Sequence, residues 1–229
     1  MELKIVFLII LAVVSAVYLV SLFFKRGLFQ AILKGCLMPL VLAVYIFGAE
    51  KILWPIILAL ILGWAGDVFL LDVSVARRFK LGIAAFLLGH ICYIVAMFNY
   101  ALPLNITVLI ASAAVAVAFE ICLMKIVRPS EEMKIPVIVY ATIIMTMAVF
   151  ALQVLLAQGG IFGTLVFAGS LCFVASDSTL AYVIFRKPSN LGDFIVMLTY
   201  IAAQLLIILG FCTPGMPGIE SKGFAFKLF

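Results

Sequence analysis

Three residues that can exchange protons lie inside apolar stretches of this chain. Asp67 lies in the segment GWAGDVFLL, Asp177 in CFVASDSTLAY and His90, the single histidine, in FLLGHICYIVA. A charged side chain at the centre of a bilayer costs about 2.5 to 3.5 kcal/mol even on lenient scales, so each such residue needs a reason to be there. Two carboxyls close together in a low-dielectric pocket do not both ionise cheaply, which leaves one protonated as an acid beside one ionised as a base. The pattern therefore predicts proton-transfer chemistry.

The elements that must position these residues are membrane-spanning helices. The 229-residue chain is 68% hydrophobic and 11% charged, with a mean hydropathy of +1.39, a composition typical of integral membrane proteins. A helix needs roughly 20 apolar residues to cross the hydrocarbon layer, and runs of about that length occur eight times. We expect an all-α bundle of eight transmembrane helices at residues 4–24, 31–48, 52–72, 80–99, 104–126, 134–157, 160–186 and 193–212. Residues 1–212 are then one domain, followed by an irregular tail over 213–229 that is rich in Gly and Pro.

The basic residues predict how these helices are oriented. Positively charged loops face the cytoplasm, so we expect the odd-numbered connections to be cytoplasmic and both termini to lie on the other side, in a multi-pass protein of a bacterial inner membrane. Because the charge of +5 is spread over membrane edges, it does not indicate nucleic-acid binding. Eleven of the fifteen basic residues lie at the odd connections: Lys25, Arg26, Lys34, Arg77, Arg78, Lys80, Lys125, Arg128, Lys134, Arg186 and Lys187.

The metal-binding residue types are too sparse for a familiar metal centre. The five cysteines stand singly in apolar segments without a C-x-x-C pair. One histidine excludes a multi-histidine zinc site but not a mixed carboxylate site. We therefore expect neither a metal nor a cofactor.

Polar side chains near the two aspartates could complete a site. Asp67 and Asp177 lie at comparable depth in the third and seventh predicted helices, which indicates one shared site. Helical spacing puts Phe86, His90 and Tyr93 on one stripe of the fourth helix.

Two further polar residues share a face of the eighth predicted helix. Tyr200 and Gln204 are four residues apart and so project one turn above the other. Each of these groups also has a purely structural interpretation: an acid near a helix end can reach the interface, and a buried histidine or tyrosine can link helices. Convergence of these residues on one pocket would favour the functional interpretation.

A weak internal repeat connects the two aspartates. They are 110 residues apart, and each is followed 23 residues later by a polar ring, at His90 and at Tyr200. Four helices per half would form a 4+4 parallel repeat about an axis along the membrane normal. The surrounding letters AGDVFLL and ASDSTLA match poorly, but a true repeat would bring both acids to one central cleft.

The polar segments, taken in order, resemble the YhhN-like membrane proteins, a family that includes the lysoplasmalogenases. The resemblance rests on GWAGDVFLL followed by FLLGHICYIVAMF, then on GSLCFVASDSTLAY followed by LTYIAAQLLIILG. With the eight-helix layout these motifs cover most of the chain. One departure concerns the second helix, where the family tends to have a lysine directly followed by proline, whereas Lys34 is followed here by Gly35.

The resemblance implies hydrolysis of the vinyl-ether bond of a lysoplasmalogen to a fatty aldehyde and glycerophosphoethanolamine or glycerophosphocholine. Protonation of the outer alkene carbon gives an oxocarbenium ion, water adds, and the hemiacetal collapses, so the reaction needs an acid and then a base, as glycoside hydrolysis does. The expected partners are a lysophospholipid substrate and membrane lipid. The predicted catalytic residues are Asp67, Asp177 and His90, and the predicted substrate-binding residues are Tyr93, Tyr140, Ser176, Tyr200, Gln204 and Lys34.

Transport is the alternative from a different functional class. Eight helices with paired buried acids and a histidine also suit proton-coupled movement of a small solute or a lipid. The short chain and the absence of a clear broken-helix pattern argue against it. A lipid-binding regulator without activity ranks last, because both acids are present.

Overall fold

The computed structural model describes residues 2–24, 27–72 and 75–214, and these residues form a bundle of eight α-helices. Each of the eight predicted spans overlaps one helix, so the predicted all-α membrane bundle is confirmed. Most of the predicted tail, residues 215–229, lies outside the described residues, as do Lys25 and Arg26 from the charge argument. The helices are α1 Glu2–Ser21, α2 Leu28–Gly48, α3 Trp54–Phe69, α4 Ala76–Phe98, α5 Ile106–Val127, α6 Glu131–Gln158, α7 Gly160–Phe185 and α8 Asn190–Phe211.

Helix α3 differs from the others in length. Within the described residues, seven helices are long and apolar enough to cross a membrane, whereas α3 has 16 residues, or about 24 Å, against about 30 Å of hydrocarbon. The predicted span 52–72 extends two residues before the helix and three residues beyond it. Pro55 fixes the beginning of α3, since its missing N–H is not needed in the first turn. Leu70 and Leu71 are apolar but lie in a turn after the helix, and hydropathy alone does not distinguish the two.

Small residues bring the helices of two hairpins close together. A Cβ added at Gly66 of α3 would lie 2.6 Å from the ring of Phe86 on α4, and one added at Gly89 of α4 would lie 3.3 Å from the Ala59 carbonyl oxygen. In the α7–α8 hairpin, a Cβ at Gly169 would lie 2.9 Å from the Ala203 carbonyl oxygen. Small residues of this kind let helix backbones approach closely in membranes.

Six helices form a closed ring. Helix α3 packs against α2 and α4, α7 packs against α6 and α8, α2 contacts α8, and α4 contacts α6. Helix α1 lies outside this ring on α2 and α8, and α5 lies outside it on α6 and α7. The loops α1–α2, α3–α4, α5–α6 and α7–α8 share one end of the bundle, which we call the odd-connection end.

The helix contacts favour the predicted 4+4 repeat. Within the ring, helices four apart occupy equivalent places, because the α2–α3–α4 arrangement recurs as α6–α7–α8 and the α2–α8 contact recurs as α6–α4. The outer helices share only part of this pattern, since α1 contacts α2 and α8 whereas α5 contacts α6 and α7. The long apolar helices make this an integral, multi-pass membrane protein. Which face is cytoplasmic, and which membrane holds the protein, stay predictions.

Candidate active site

A cavity of about 460 Å³ enters the bundle from the odd-connection end. Its walls come from α1, α2, α3, α4, α7 and α8. Leu71 and Pro188, which belong to odd connections, line the outer part, and Lys34, Asp67 and Asp177 line the inner part. Both aspartates therefore face one shared space, as their matched depth predicted.

The first polar cluster is the Asp67 centre, formed by Lys34, Asp67 and Tyr200. Asp67 is 2% exposed. The Tyr200 hydroxyl donates a hydrogen bond to Oδ2 of Asp67 at 2.9 Å, and Nζ of Lys34 lies 3.4 Å from Oδ1. Both carboxylate oxygens have a partner, and the lysine balances the negative charge that burial would otherwise make costly.

The short helix α3 explains how Asp67 reaches this position. Asp67 is two residues from the end of α3, yet it contacts Tyr200, which is ten residues into α8, or about 15 Å along that helix. The last turn of α3 therefore carries the acid to the level of Tyr200, about ten residues into α8. Gly63 makes room beside the acid, because a Cβ there would lie 3.2 Å from Nε2 of Gln204 and 3.4 Å from the Tyr200 hydroxyl.

The second polar cluster is the Asp177 centre, formed by His90, Tyr140 and Asp177. The Tyr140 hydroxyl donates to Oδ2 of Asp177 at 2.5 Å, and Nε2 of His90 lies 3.2 Å from the same oxygen and 3.0 Å from the Tyr140 hydroxyl. The cluster joins α4, α6 and α7. Both bonds use Oδ2, which leaves Oδ1 for a proton or a substrate atom.

His90 links three helices through one ring nitrogen. With its hydrogen on Nε2, the ring donates to Oδ2 of Asp177, while Nδ1 is buried and has no hydrogen-bond partner among the described residues. The interpretation of His90 as a link between helices agrees with this geometry, and its catalytic role stays a prediction.

The profile of the YhhN family matches residues 26–211, which is most of the chain. The chain belongs to the YhhN family. The human protein named lysoplasmalogenase TMEM86B is 34% identical over 151 residues, covering 66% of this chain and 60% of that protein. Proteins named lysoplasmalogenase from Mycobacterium bovis and Mycobacterium tuberculosis are each 31% identical over 162 residues, covering 67% of this chain and 58% of theirs.

These matches confirm the family that the polar motifs indicated. The aligned region spans about 60% of the length of these curated relatives. No solved structure matches the chain.

A buried hydrogen-bonded pair closes the inner end of this YhhN-family site. The Tyr93 hydroxyl donates to Oε1 of Gln204 at 2.5 Å, and each of the two side chains is 1% exposed. The predicted stripe of α4 and the predicted face of α8 therefore do meet inside the bundle. All nine predicted site residues lie on the cavity, in one of its two centres or in this pair. They are Lys34, Asp67, His90, Tyr93, Tyr140, Ser176, Asp177, Tyr200 and Gln204.

Ser176 also lines the cavity, but its hydroxyl has another partner. It is 1% exposed and donates to the Val196 carbonyl oxygen at 3.0 Å, which links α7 to α8. Its hydroxyl hydrogen is therefore used within the bundle. Its predicted part in substrate binding stays a prediction.

The sequence arguments missed a phenylalanine that connects the two centres. The ring of Phe173 lies 4.9 Å from that of His90 and 5.9 Å from that of Tyr200, measured between centroids. Phe173 is four residues before Asp177 and so shares its helix face, which is a signal that could have found it. The Phe173 ring thus lies between the two polar clusters of this YhhN-family site, on the side away from the entrance.

Proposed function

We propose that this YhhN-family protein is a membrane-embedded hydrolase that cleaves the vinyl-ether bond of a lysoplasmalogen. The products are a fatty aldehyde and glycerophosphoethanolamine or glycerophosphocholine. The observation that carries the proposal is the pair of aspartates on one cavity, each held by its own hydrogen-bond donors. The names of the similar human and mycobacterial proteins support the substrate class.

The surroundings of the two aspartates favour different roles. Asp67 lies beside the Lys34 ammonium with both oxygens engaged, so its ionised form is balanced and suits the base and the stabiliser of a cation. Asp177 has no lysine or arginine partner among the described residues, and its hydrogen bonds use Oδ2, which leaves Oδ1 for the proton of the acid. Separated environments of this kind divide acid and base roles between paired carboxyls.

The proton transfers close in a cycle. Asp177 gives its proton to the outer alkene carbon, and the oxocarbenium ion forms at the carbon bonded to the ether oxygen. Water attacks that carbon and loses a proton to Asp67. In the collapse, Asp177 takes the hydroxyl proton of the hemiacetal while Asp67 protonates the departing glycerol oxygen, which releases aldehyde and alcohol and restores both residues.

The remaining polar residues position these groups. Tyr140 and His90 hold Oδ2 of Asp177, so that Oδ1 faces the reaction. Tyr200 and Lys34 fix Asp67, and the Tyr93–Gln204 pair supports Tyr200 from the inner side. Fixed donors of this kind lower the reorganisation needed as charge develops.

The location of the cavity suits a lysophospholipid. The entrance at the odd-connection end is the predicted cytoplasmic side of a bacterial inner membrane, where a polar head stays among the loops while its glycerol reaches the aspartates. A lipid with one chain fills less of the membrane core than a lipid with two chains. Less hydrocarbon therefore has to leave the bilayer for its glycerol to reach the site.

The deciding experiment offers purified protein in detergent three matched lysolipids with vinyl-ether, alkyl-ether and acyl linkages. We expect aldehyde from the vinyl ether and no reaction of the alkyl ether. Turnover of the acyl lipid alone would identify an esterase and overturn the proposal. Detergent removes any gradient, so aldehyde formation there also argues against transport, whereas proton-driven uptake in vesicles without product would favour it.

A further inference from the structure

A second, apolar cavity adjoins the first. It has a volume of about 60 Å³ and lies between α4, α6 and α7. We call it the apolar slot and define it by Ile83, Val137, Ala181 and Ile184. Apart from Tyr140 and Asp177 at its inner end, the described residues that line it are hydrocarbon side chains.

Asp177 is the polar residue that the two spaces share. Lys34 and Asp67 line the main cavity alone. Six residues line both the main cavity and the slot: Leu70, Phe79, Phe86, Asp177, Leu180 and Ile184. The carboxyl of Asp177 therefore lies where a polar space meets an apolar one. In a lysoplasmalogen the vinyl-ether bond has the same position, between the polar glycerol and the hydrocarbon chain.

We propose that the apolar slot binds the first methylenes of the substrate's alkenyl chain. The inference rests on the proposed vinyl-ether hydrolysis. It sets the direction of the substrate: the glycerol and headgroup lie in the main cavity, the outer alkene carbon lies beside Oδ1 of Asp177, and the chain leads away past Val137 and Ala181. This direction places the acid at the carbon that must be protonated and Asp67 on the glycerol side.

Two aromatic rings decide where the rest of the chain goes. Phe79 in the first turn of α4 and Phe185 at the end of α7 meet edge to face, with centroids 6.4 Å apart. Both rings line the slot and close it at the odd-connection end. The chain therefore leaves sideways between Ile83 of α4 and Val137 of α6, into the lipid.

Photo-crosslinking tests the direction of the substrate without requiring turnover. The probe is an alkyl-ether lysolipid, which resists the reaction, with a diazirine at the fourth carbon of its chain. We expect labelled peptides from α6 and α7 that contain Val137 and Ala181. Labelling of Tyr18 or Met197, which line only the main cavity, would overturn the proposal.

A matched pair of substitutions tests the same idea kinetically. Ala181→Leu fills the slot, whereas Ala175→Leu makes the same change on the same helix at an exposed position outside both cavities. Each methylene displaced from the slot should lower kcat/KM about fourfold, which corresponds to about 0.8 kcal/mol. We expect a loss of about 15-fold for a long-chain vinyl ether in Ala181→Leu, no loss for a substrate with a two-carbon alkenyl group, and wild-type behaviour in Ala175→Leu.

A second variant tests the apolar slot in case the first one fails to fold. If Ala181→Leu does not fold, Val137→Ala widens the slot and should raise the relative rate of a substrate with a methyl branch near the double bond. Equal effects on long and short chains in these variants would overturn the slot. If wild-type protein releases no aldehyde from any substrate, vinyl-ether hydrolysis is wrong, while the crosslinks still report where a chain binds.

Discussion

The Asp67 and Asp177 centres share a plan but differ in charge. Each joins an aspartate to a tyrosine hydroxyl and to one nitrogen side chain from another helix. Asp67 has an ammonium partner and is 2% exposed, whereas Asp177 has an imidazole partner and its side chain is 12% exposed. Equivalent places in two similar helix sets thus hold one carboxyl beside a lysine and one beside a histidine.

The bonds also cross between the halves of the bundle. Asp67 on α3 accepts from Tyr200 on α8, and Asp177 on α7 contacts His90 on α4. His90 and Tyr200 are the two rings that follow the aspartates by 23 residues, so each half supplies the ring for the other half's acid. Neither half could form its centre alone.

Removing either acid should have the largest effect. We expect Asp67→Asn and Asp177→Asn each to lower the rate of aldehyde release by about 10² to 10⁴, the usual contribution of a positioned acid or base. The measurement is aldehyde formation by folded, detergent-purified variants. Asp72→Asn, at an exposed acid 3.8 Å from Arg78, is the control and should retain activity. Full activity in either site variant would break the division of roles between the centres.

Lys34→Met should reveal the charge difference between the centres through stability. It leaves the carboxylate of Asp67 buried without a counterion, and breaking a buried ion pair costs about 3 to 5 kcal/mol. We expect a lower Tm in detergent and recovery of most of it in the double variant Lys34→Met with Asp67→Asn. A double variant no more stable than Lys34→Met would mean that the two charges are not coupled.

Substitution of Tyr140 and of Tyr200 should further distinguish the Asp177 centre from the Asp67 centre. Tyr140→Phe removes a donor from an oxygen whose one other partner is His90, whereas Tyr200→Phe leaves Asp67 with Lys34. A hydrogen bond to a charged group contributes about 1.5 to 3 kcal/mol, so we expect a loss of at least about tenfold in kcat for Tyr140→Phe and a smaller loss for Tyr200→Phe. The reverse order in steady-state kinetics would contradict the assignment of Asp177 as the acid.

The smallest effect should come from Ser176, beside the Asp177 centre. Its hydroxyl bonds the Val196 carbonyl, so Ser176→Ala should cost about 1 kcal/mol of stability and leave KM nearly unchanged. Thermal melting and the KM for the vinyl-ether lipid are the two measurements. A large rise in KM with unchanged Tm would instead make Ser176 a substrate ligand.

The number of helices could be predicted from the sequence because it follows from the hydropathy of the chain. The interior face of α4 could be predicted because it follows from the helical period of its polar residues. The polar residues were also predictable, since intramembrane Asp67, His90 and Asp177 are conspicuous in such an apolar chain. The partner of each acid was not, because pairing across the ring depends on which helices meet. The early end of α3 was missed for a related reason: Leu70 and Leu71 continue the apolar run after the backbone has left the helix.

The charge on Lys34 illustrates what local motifs leave open. The residue after Lys34 is Gly35, which departs from the lysine–proline pattern. The Lys34 ammonium still reaches Asp67. The position along α2 matters more here than the residue that follows. The contact of α2 with α3 sets that position, and no local pattern reports it.

The shortness of α3 has a consequence for the bilayer itself. A helix of 16 residues is about 6 Å shorter than the hydrocarbon layer, and lipids relieve such hydrophobic mismatch by thinning beside the short element. Headgroups at the odd-connection end would then sit closer to Asp67 than elsewhere around the bundle. The protein would draw the surface of the membrane down toward its cavity, so that the proposed lysolipid substrate travels less far to reach it.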